Sequence, residues 1–417
     1  MKKETKKAPA IRFRGFTDDW EQYKLGNMGS TFTGLSGKTK EDFGHGNAQF
    51  VTYMNVYSNS IADLTMTENI EIDKHQVCVK YGDIFFTTSS ETPNEVGMSS
   101  VWLGNTDNTY LNSFCFGYRP EIEINPYYMA YMLRSRSIRN QLVILAQGIS
   151  RYNISKNQVM KIEVPFPALA EQKMIGECLT NIDNLITLHQ RKLDQLKTLK
   201  KYFLQNMFPA KGEKVPRIRF KGFTGDWEQH KLDNLCLIID TKHATAPITN
   251  EKTSYRMIRT DCVRNGRLLV ENMDSVTKEI YDKWSERIHL KAGDIVFTRE
   301  APMGESAIIP DDGNSYFPGQ RIVTIRSKGN VSTLFINYLI YANEFRREIR
   351  IRDSAATTVA NFGIPSIKNY VAQLPCVKEQ RKIGKYFNQL DNIITLHQRK
   401  LEQLQTMKKF MLQNLFI

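Results

Sequence analysis

Two short motifs come close to known chemical sites. Residues 34–39 read Gly-Leu-Ser-Gly-Lys-Thr, similar to a loop whose glycine-rich backbone cradles phosphate groups. Such a loop needs a glycine five residues before Gly37, where this chain has Phe32. Residues 125–128 read Asn-Pro-Tyr-Tyr, near the Asn-Pro-Pro-Tyr that grips the amino group in adenine methyltransferases. The second proline is absent, and Pro126 fits the first position of a helix better.

No other catalytic pattern stands out. There is no HExxH, no GxSxG and no nuclease-like acidic motif. The cysteines are far apart and form no CxxC pair, so neither zinc ligation nor a disulfide framework is indicated; they are Cys78, Cys115, Cys178, Cys236, Cys262 and Cys376. We therefore interpret the chain as a non-catalytic binder that holds no metal or cofactor of its own.

The charge balance suggests what is bound. Lys and Arg number 57 against 44 Asp and Glu, giving a net charge of +13 that favours a polyanion, nucleic acid first. A basic but merely solvated surface is the alternative. No apolar run approaches the roughly 18 residues of a membrane span, and the basic N-terminus lacks the apolar core of a signal peptide. We expect a cytoplasmic protein without membrane contact.

The elements that position any site are duplicated. Residues 9–28 and 216–235, which we call the framework segments, are identical at 14 of 20 positions with an offset of 207. Residues 171–208 return at 379–416 with 23 of 38 identical. The intervening stretches, roughly 29–168 and 236–376, barely resemble each other. This pattern indicates tandem duplication of a whole domain-plus-helix unit, in which the repeated segments are similar and the segments between them differ.

Each repeated 38-residue stretch predicts a long helix with one apolar seam. Apolar residues recur at alternating steps of four and three, which is the a/d pattern of a coiled coil. Two copies related by a pseudo-two-fold should pair antiparallel, and because acidic residues come early and basic ones late, opposite charges would then meet. The predicted seam consists of Ile175, Leu179, Ile182, Ile186, His189, Leu193, Leu196 and Phe203, and of Ile383, Phe387, Leu390, Ile394, His397, Leu401, Leu404 and Met411. Lys200 and Lys408 fill further polar slots, and the histidines are interpreted as register-setting residues rather than metal ligands.

Each divergent segment predicts a mixed α/β domain. Both contain a Gly-Asp turn that leads into a buried strand (residues 82–87 and 293–298), then polar loops, a helix near 126–145 or 333–350, and a further polar loop. The Arg, Lys, Asn, Ser and Thr side chains of these loops suit base edges and phosphates. Candidate DNA contacts are Lys38, Thr52, Tyr53, Asn55, Thr87, Ser89, Ser150, Arg151 and Tyr152 in the first domain, and Lys242, His243, Arg256, Arg259, Arg299, Gln320, Arg321, Thr357 and Asn361 in the second.

The predicted fold class is two α/β (mixed α+β) recognition domains, each followed by a long helix, related by a pseudo-two-fold duplication. The predicted boundaries are 1–24 (tail and first framework segment), 25–168 (first domain), 169–208 (first helix), 209–231 (linker and second framework segment), 232–376 (second domain) and 377–417 (second helix). Since the second helix ends where a third framework segment would start, Ala10 and Phe416 should lie close together.

These repeated motifs, with "RF.GF..DWE..KL", "GDI.FT", "EQ..IG" and "D..I.LHQRKL.QL...K...LQ..F", together resemble the specificity subunit of type I restriction–modification systems. The resemblance covers nearly the whole chain. It implies two target-recognition domains that each read half of a split, asymmetric site in double-stranded DNA. It also implies an antiparallel coiled coil that sets the distance between the halves.

The resemblance further implies partners. Two modification subunits carrying S-adenosylmethionine and the adenine-methylating chemistry would dock on the repeated regions. Restriction subunits that use ATP and magnesium for translocation and cleavage would join them in phage defence. Two other functions stay open: a stand-alone sequence-specific DNA-binding regulator, and a scaffold without a methylase partner. A purified chain that methylated DNA alone would instead be an enzyme.

Overall fold

The structure, a computed structural model, describes residues 8–242, 244–300, 302–354 and 361–417. The chain divides into two units. Unit 1 runs to Gln190 and includes Arg399–Ile417, and unit 2 is Arg191–Gln398. Each unit thus contains one divergent segment and a part of each long repeated helix.

Unit 1 is built from short strands and helices that precede the first long helix. Its strands are β1 (Glu21–Lys24), β2 (Gly29–Thr33), β3 (Phe43–Val51), β4 (Thr67–Ile70), β5 (Ile84–Thr87), β6 (Ser89–Ser90), β7 (Ser99–Val101), β8 (Thr109–Leu111), β9 (Cys115–Pro120), β10 (Tyr152–Asn153) and β11 (Glu163–Phe166). Its helices are α1 (Tyr53–Ser58), α2 (Pro126–Met132), α3 (Arg136–Ile144), α4 (Lys156–Val159) and the start of α5 (Leu169–Asn206).

The strands of unit 1 form a four-stranded antiparallel sheet, in the order β2-β9-β5-β7, and a three-stranded sheet, β4-β3-β8. The buried strand predicted after the Gly-Asp turn is β5, in the middle of the larger sheet. Ile84 and Phe86 pack on the core that contains α2, whereas Phe85 packs on the opposite face near Trp102. Alternate residues of β5 therefore serve two cores, as the period of a strand requires.

Unit 2 repeats this architecture. Its strands are β12 (Glu228–Lys231), β13 (Cys236–Asp240), β14 (Tyr255–Ile258), β15 (Val263–Arg264), β16 (Arg267–Leu268), β17 (Asp274–Ser275), β18 (Ile295–Thr298), β19 (Ser306–Ile308), β20 (Ser315–Pro318), β21 (Ile322–Ser327) and β22 (Val371–Leu374). Its helices are α6 (Leu232–Leu235), α7 (Lys278–Trp284), α8 (Thr333–Tyr341), α9 (Asn343–Ser354), α10 (Ile364–Asn369) and the start of α11 (Val377–Asn414).

The sheets of unit 2 run β13-β21-β18-β19 and β17-β14-β20, in the same order as their counterparts in unit 1. Both small sheets even share a parallel pair, β3 with β8 and β14 with β20. The divergent segments are thus two sequences for one topology. The sequence predicted α/β character for both but not this shared strand order.

One prediction needs correction: the helix that follows each large sheet is two helices. Near 126–145 the chain forms α2 and α3, which are separated at Leu133–Ser135, and near 333–350 it forms α8 and α9, which are separated at Ala342. Extended backbone at Ser135 and at Ala342 interrupts the helical run. Apolar periodicity continued across both breaks, which is why the sequence predicted one helix.

Each framework segment is fastened to a long helix by a buried ion pair. Arg12 donates from Nε and Nη2 to the two carboxylate oxygens of Glu171, at 2.7 and 2.8 Å. Arg219 does the same to Glu379 in unit 2, at 2.8 Å for both bonds. Both glutamates have no exposed surface, so each carboxylate depends on its arginine for charge compensation.

The repeated EQ..IG motif is explained by the contacts of its other residues. Gln172 accepts from the amide of Asn125 and donates to the carbonyl of Pro167; Gln380 makes the same bonds to Ser332 and Pro375 in unit 2. A Cβ on Gly176 would lie 2.8 Å from the Asn125 side-chain oxygen, so glycine lets α2 approach the long helix closely. Gly384 has the same role against α8, where a Cβ would lie 2.6 Å from Leu334.

In each unit, parts of the two long helices pack antiparallel. In unit 1 Cys178 Sγ lies 4.0 Å from Met411 Sδ, and Asp183 pairs with Lys408 at 2.6 Å. In unit 2 Lys200 pairs with Asp391 at 2.6 Å, and Phe203 contacts Tyr386 with ring centroids 5.4 Å apart. Higher numbers on one helix meet lower numbers on the other, and the acid–base pairing expected from the charge distribution is present.

The expected closeness of residues 10 and 416 is confirmed. The amide of Ile11 donates to the carbonyl of Asn414 at 3.0 Å, and Phe416 lies in the core of unit 1. The equivalent bond in unit 2 joins Ile218 to Asn206 at 2.9 Å. The same docking is therefore made within a continuous stretch of chain in unit 2 and by the two ends of the chain in unit 1. None of the helices in the described ranges has the length and the apolar character of a membrane-spanning segment.

The buried ion pair predicts a large effect on stability. Replacing Arg219 by Ala leaves the Glu379 carboxylate buried and uncompensated, so we expect the free energy of unfolding to fall by about 3–5 kcal/mol in urea titrations. Arg217→Ala is the matched control, because that side chain is 69% exposed and lies 4.0 Å from Glu213; its effect should stay within about 0.5 kcal/mol. Equal losses for the two variants would contradict a structural role of the Arg219–Glu379 pair.

Candidate functional site

In unit 2 a polar cluster forms where three chain segments meet at the end of the large sheet. Glu300 follows β18, Arg321 precedes β21 and Asn361 precedes α10. Arg321 Nε lies 2.8 Å from Glu300 Oε2, and Asn361 Nδ2 donates to Glu300 Oε1 at 3.2 Å. Arg299 lies 4.0 Å from the Glu300 carboxylate and 3.8 Å from that of Asp240. Three of the predicted contacts are thus gathered around one carboxylate, and we call this group the Glu300 cluster.

The backbone of the Glu300 cluster is tightly held. Arg299 donates its amide to the carbonyl of Arg321 at 3.0 Å and accepts from the amide of Phe362 at 2.8 Å. Arg321 itself has φ of +68°, a left-handed conformation that residues with a Cβ rarely adopt. Its side chain is nevertheless about half exposed. A strained, firmly anchored residue with an accessible cationic head is typical of a functional position.

Other predicted contacts in unit 2 are tied to neighbouring side chains. Lys242 pairs with Glu286 at 2.7 Å, and this hydrogen bond lowers the pKa of the Glu286 carboxyl. Arg256 donates to Ser275 Oγ and Arg259 pairs with Asp274, both at 2.5 Å. Gln320 is half-buried beside Arg321. His243 and Thr357 lie outside the described residues.

In unit 1 the predicted residues Tyr53, Ser89 and Arg151 line one cavity of about 380 Å³. Tyr53 donates its hydroxyl to the carbonyl of Ser89 at 2.8 Å. Burial is the main cause that raises the pKa of Tyr53. Tyr152 reaches the edge of this region through β10, which pairs with β6, and Ser150 is exposed beside Arg151. Tyr53, Ser89 and Arg151 are separated by up to 98 positions in the chain, and only the fold brings them together.

The remaining predicted residues of unit 1 have structural partners. Asn55 is fully buried, and its amide group bonds Asp63, Met66 and Asn59. Thr87 is buried and accepts from the amide of Met98. These two residues therefore support the surface from within and offer no free polar atom to a ligand, because their hydrogen-bonding groups are used inside the protein.

Thr52 and Lys38 have partners closer to the surface. Thr52 caps α1 by accepting from the amide of Asn55 at 3.2 Å. Lys38 forms an ion pair with Asp73 at 2.8 Å, and its ammonium group is the main cause that lowers the pKa of Asp73. Neither residue lines the cavity that contains Tyr53 and Arg151.

The structure adds two residues that the sequence did not indicate, Glu300 and Phe114. Phe114 directly precedes β9 as Arg321 precedes β21, and the two positions differ by the repeat offset of 207. The amide of Thr88 donates to the carbonyl of Phe114 at 3.0 Å, as the amide of Arg299 does to Arg321. Applying the offset to Arg321 would have found Phe114. Glu300 gave no separate signal, because a carboxylate cannot bind the DNA phosphates, which was the contact expected of the charged residues in these loops.

Equivalent positions in the two units therefore carry different chemistry. At the residue that precedes β9 or β21, unit 1 exposes Phe114 (57%) and unit 2 exposes the side chain of Arg321 (53%). At the residue after the Gly-Asp strand, unit 1 has Thr88 and unit 2 has Arg299. The backbone hydrogen bond that joins the two positions is the same in both units, so different side chains are presented by the same backbone pairing.

The predicted seam residues of the long helices lie toward the inside of their units. Most are buried, namely Ile175, Leu179, Ile182, Leu193, Leu196, Ile383, Phe387, Leu390, Leu401 and Leu404. The others are half-buried, namely Ile186, His189, Phe203, Ile394, His397 and Met411. In the part of the chain that the structure describes, no three His, Cys, Asp or Glu side chains gather as metal ligands.

Comparison with known proteins agrees with this architecture. The family model of the type I restriction modification DNA specificity domain matches residues 17–198 and again 224–406. The chain is 24% identical over 410 residues to the putative type I restriction enzyme MjaX specificity subunit of Methanocaldococcus jannaschii, covering 94% of this chain and 91% of that protein. It is 26% identical over 321 residues to the StySPI specificity subunit of Salmonella potsdam, covering 74% of this chain and 67% of that protein.

Among solved structures, the S subunit of a type I restriction–modification system from M. genitalium has the same fold. The TM-score is 0.64 at 13% identity, with 98% of this chain and 99% of that chain covered. The chain belongs to the type I restriction modification DNA specificity family, with two copies of its domain in the order that the internal repeat predicts. The resemblance drawn from the repeated motifs is confirmed.

The strain at Arg321 gives a test that is independent of any ligand. Glycine adopts positive φ without the cost of about 1–2 kcal/mol that a Cβ imposes. We therefore expect Arg321→Gly to be more stable than Arg321→Ala by about 1 kcal/mol in urea unfolding. Both variants lose the ion pair to Glu300, so their difference isolates the backbone conformation. Equal stabilities would show that Arg321 is not left-handed in solution.

Proposed function

We propose that this chain is the non-catalytic specificity subunit that directs a type I restriction–modification complex to a split, asymmetric site in double-stranded DNA. Unit 1 and unit 2 each read one half of the site. The proposal rests on family membership, the net charge of +13 and the duplicated topology with exchanged surface side chains.

The observation that carries two-part reading is the equivalence of Phe114 and Arg321. Two domains that evolved to bind the same DNA sequence would retain the same contact residues at equivalent positions. Here one backbone position presents an aromatic ring in unit 1 and a cation in unit 2. Since base contacts specify a sequence and phosphate contacts only position the protein, such exchanged side chains are suited to reading different bases.

The Glu300 cluster supplies suitable chemistry for one half-site. Arginine can donate two parallel hydrogen bonds to guanine O6 and N7, and asparagine can pair with adenine in a similar way. Glu300 holds Arg321 and Asn361 in defined positions before any DNA arrives. Its negative charge also offsets the neighbouring arginines, so the cluster is an ordered set of donors rather than a purely cationic phosphate site. Each good bidentate contact is worth about 1–3 kcal/mol of discrimination.

The long helices would set the distance between the half-sites. Each has 38 residues, which corresponds to about 57 Å at 1.5 Å per residue. A rigid spacer demands a constant gap between the two recognised sequences, as the dimer geometry does in other DNA-binding proteins. Phosphate contacts from lysine and arginine would add affinity that falls with salt.

The outer faces of the long helices indicate where partner subunits bind. In unit 1 the exposed apolar side chains are Leu185, Leu188, Met407 and Phe410, and in unit 2 they are Leu199, Tyr202, Ile393 and Leu396. The repeat offset relates the two sets, and each member is 40–67% exposed. Exposed apolar stripes mark interaction surfaces, and two equal stripes suit two copies of one partner.

We assign these stripes to the two modification subunits. On this proposal S-adenosylmethionine is bound by those subunits. ATP and magnesium are used by restriction subunits, which complete the assembly, and this chain binds none of these cofactors.

Stepwise loss of the partner is the expected result of changing the stripes. Leu188→Glu should leave one of two modification subunits bound, Leu396→Glu should do the same, and the double variant should bind none, because a charge is costly in an apolar interface. Native mass spectrometry of the co-expressed complex gives the stoichiometry. Gln190→Glu and Gln398→Glu, at exposed positions on another side of the same helices, are matched controls that should retain both subunits. A complete complex with the double variant would exclude the stripes as the docking surface.

Domain replacement tests the function itself. The chain is co-expressed with its modification subunit, and methylated adenines are mapped across the genome by single-molecule sequencing. We expect one motif with two short halves and a constant gap. Exchanging residues 29–168 for the corresponding segment of another family member should change one half and leave the other half and the gap intact. A change in both halves would refute two-part reading, and sequence-selective binding without methylation would favour the regulator.

A further inference from the structure

The cavity of unit 1 at Tyr53 and Arg151 combines aromatic faces, a carboxylate and a cation. Tyr53 and Tyr57 stack with ring centroids 6.1 Å apart and planes inclined by 16°. Met54 and Phe114 lie at its mouth, 53% and 57% exposed, and Arg151 is exposed beside them. The volume of about 380 Å³ is within the range of small-ligand pockets, roughly 300–1,000 Å³.

The walls of this cavity are rigid. The Tyr57 hydroxyl donates to Glu95 Oε1 at 2.6 Å, while the Tyr53 hydroxyl is held by the carbonyl of Ser89. Helix α1 contains both tyrosines, and hydrogen bonds from Arg134 hold its C-terminal end in place. That guanidinium donates to the carbonyls of Val56, Tyr57, Asn59 and Ser99 at 2.7–3.0 Å. The rings are therefore preorganised and do not have to order when a ligand arrives.

The polar groups select for a ligand that donates hydrogen bonds. Hydrogen bonds from Tyr57, Thr92 and Ser90 lower the pKa of Glu95, so this group is a carboxylate at neutral pH and only accepts. Carboxylates in DNA-binding proteins accept from exocyclic amines such as cytosine N4. Arg151 at the mouth can donate to a phosphate next to the bound group.

We propose that this cavity receives one nucleobase, a base with an exocyclic amine, that leaves the duplex stack when unit 1 binds its half-site. The base stacks against the tyrosine rings, its amine faces the Glu95 carboxylate, and Phe114 with Met54 fills the vacated space at the duplex. Enclosing an unstacked base between aromatic side chains is a general solution for reading its edge.

Unit 2 differs from unit 1 at the positions that correspond to two walls of this cavity. A three-residue helical turn, Thr260–Cys262, stands where unit 1 has α1, and the position of Phe114 is taken by Arg321. The two units would therefore read DNA in different ways, unit 2 on base edges and unit 1 on one extruded base. This inference rests on the proposed function, since it assumes that unit 1 reads half of a DNA site.

The test uses the full chain in complex with its modification subunit and a duplex that carries the methylated motif. A fluorescent base analogue is placed at each position of the two half-sites in turn. The modification subunit is expected to extrude its target adenine, and beyond that adenine we expect one further position, in the half read by unit 1, to brighten several-fold on binding. A mismatch at that position should tighten binding about tenfold, because a mismatched base is not paired and its extrusion costs less free energy. Phe114→Ala should abolish the brightening and lose this gain.

Tyr81→Ala is the matched control, since this aromatic residue of unit 1 is 51% exposed and does not line the cavity; it should behave as wild type. Tyr53→Phe, which retains the ring and loses its bond to Ser89, should reduce but not abolish the signal. If sequence preference persists while no position other than the methylated adenine brightens, the extruded base in unit 1 is refuted and the proposed function stands. If no duplex is preferred at all, the proposed function has failed first.

Discussion

The buried arginine–glutamate pair at the start of each long helix is the constraint on which the remaining structure depends. Arg12 and Glu171, like Arg219 and Glu379, are separated by about 160 residues in sequence. Each pair joins a framework segment to the start of a long helix, so the divergent segment between them is closed into a loop. A buried carboxylate without its guanidinium is strongly destabilising. This dependence explains why both partners occur in the two framework segments and helices while the intervening sequence differs.

Because the two ends of each unit are fastened together, the loops at the far side of the sheets are free to differ. The four-stranded sheets of both units have the same strand order. The residue after β5 or β18 donates its amide to the carbonyl of the residue before β9 or β21 in both units. Side chains at these positions can then be exchanged without moving the strands. The framework thus separates two requirements that usually conflict, a constant assembly and a changeable surface, and this separation is what a specificity subunit needs.

Much of this architecture could be predicted from the sequence, because the signals are periodic or repeated. The heptads of Ile175–Leu196 and Ile383–Leu404 predicted both long helices, and the Gly-Asp motif predicted the buried strands β5 and β18. The strand order of the sheets could not be predicted, because pairing between β3 and β8 depends on contacts across about 60 residues. The breaks at Ser135 and Ala342 were missed because apolar spacing continues through them.

The candidate site was predicted less well than the fold, for a physical reason. Residue type showed that Tyr53, Arg151, Arg299 and Arg321 could contact DNA, but type does not show which side chains are used internally. Asn55 looks like a base-reading residue and is instead fully bonded within the core. Glu300 carries the wrong charge for a phosphate contact, and the structure instead places it between Arg299 and Arg321. In both cases burial and hydrogen-bond partners, which only the folded chain defines, decide the role.

Arg321 shows how stability and recognition oppose each other in this protein. A glycine at its position would relieve the left-handed backbone, and natural helices and turns use glycine in that conformation for this reason. The chain instead retains a long cation there, anchored through its carbonyl to Arg299 and through its side chain to Glu300. In unit 1 the equivalent position holds Phe114, again a large exposed side chain rather than a small one. A position that is occupied twice by large, different and solvent-facing side chains is best explained by what it contacts outside the chain. On the proposed function, the position that precedes β9 and β21 is therefore where we place the discrimination between half-sites.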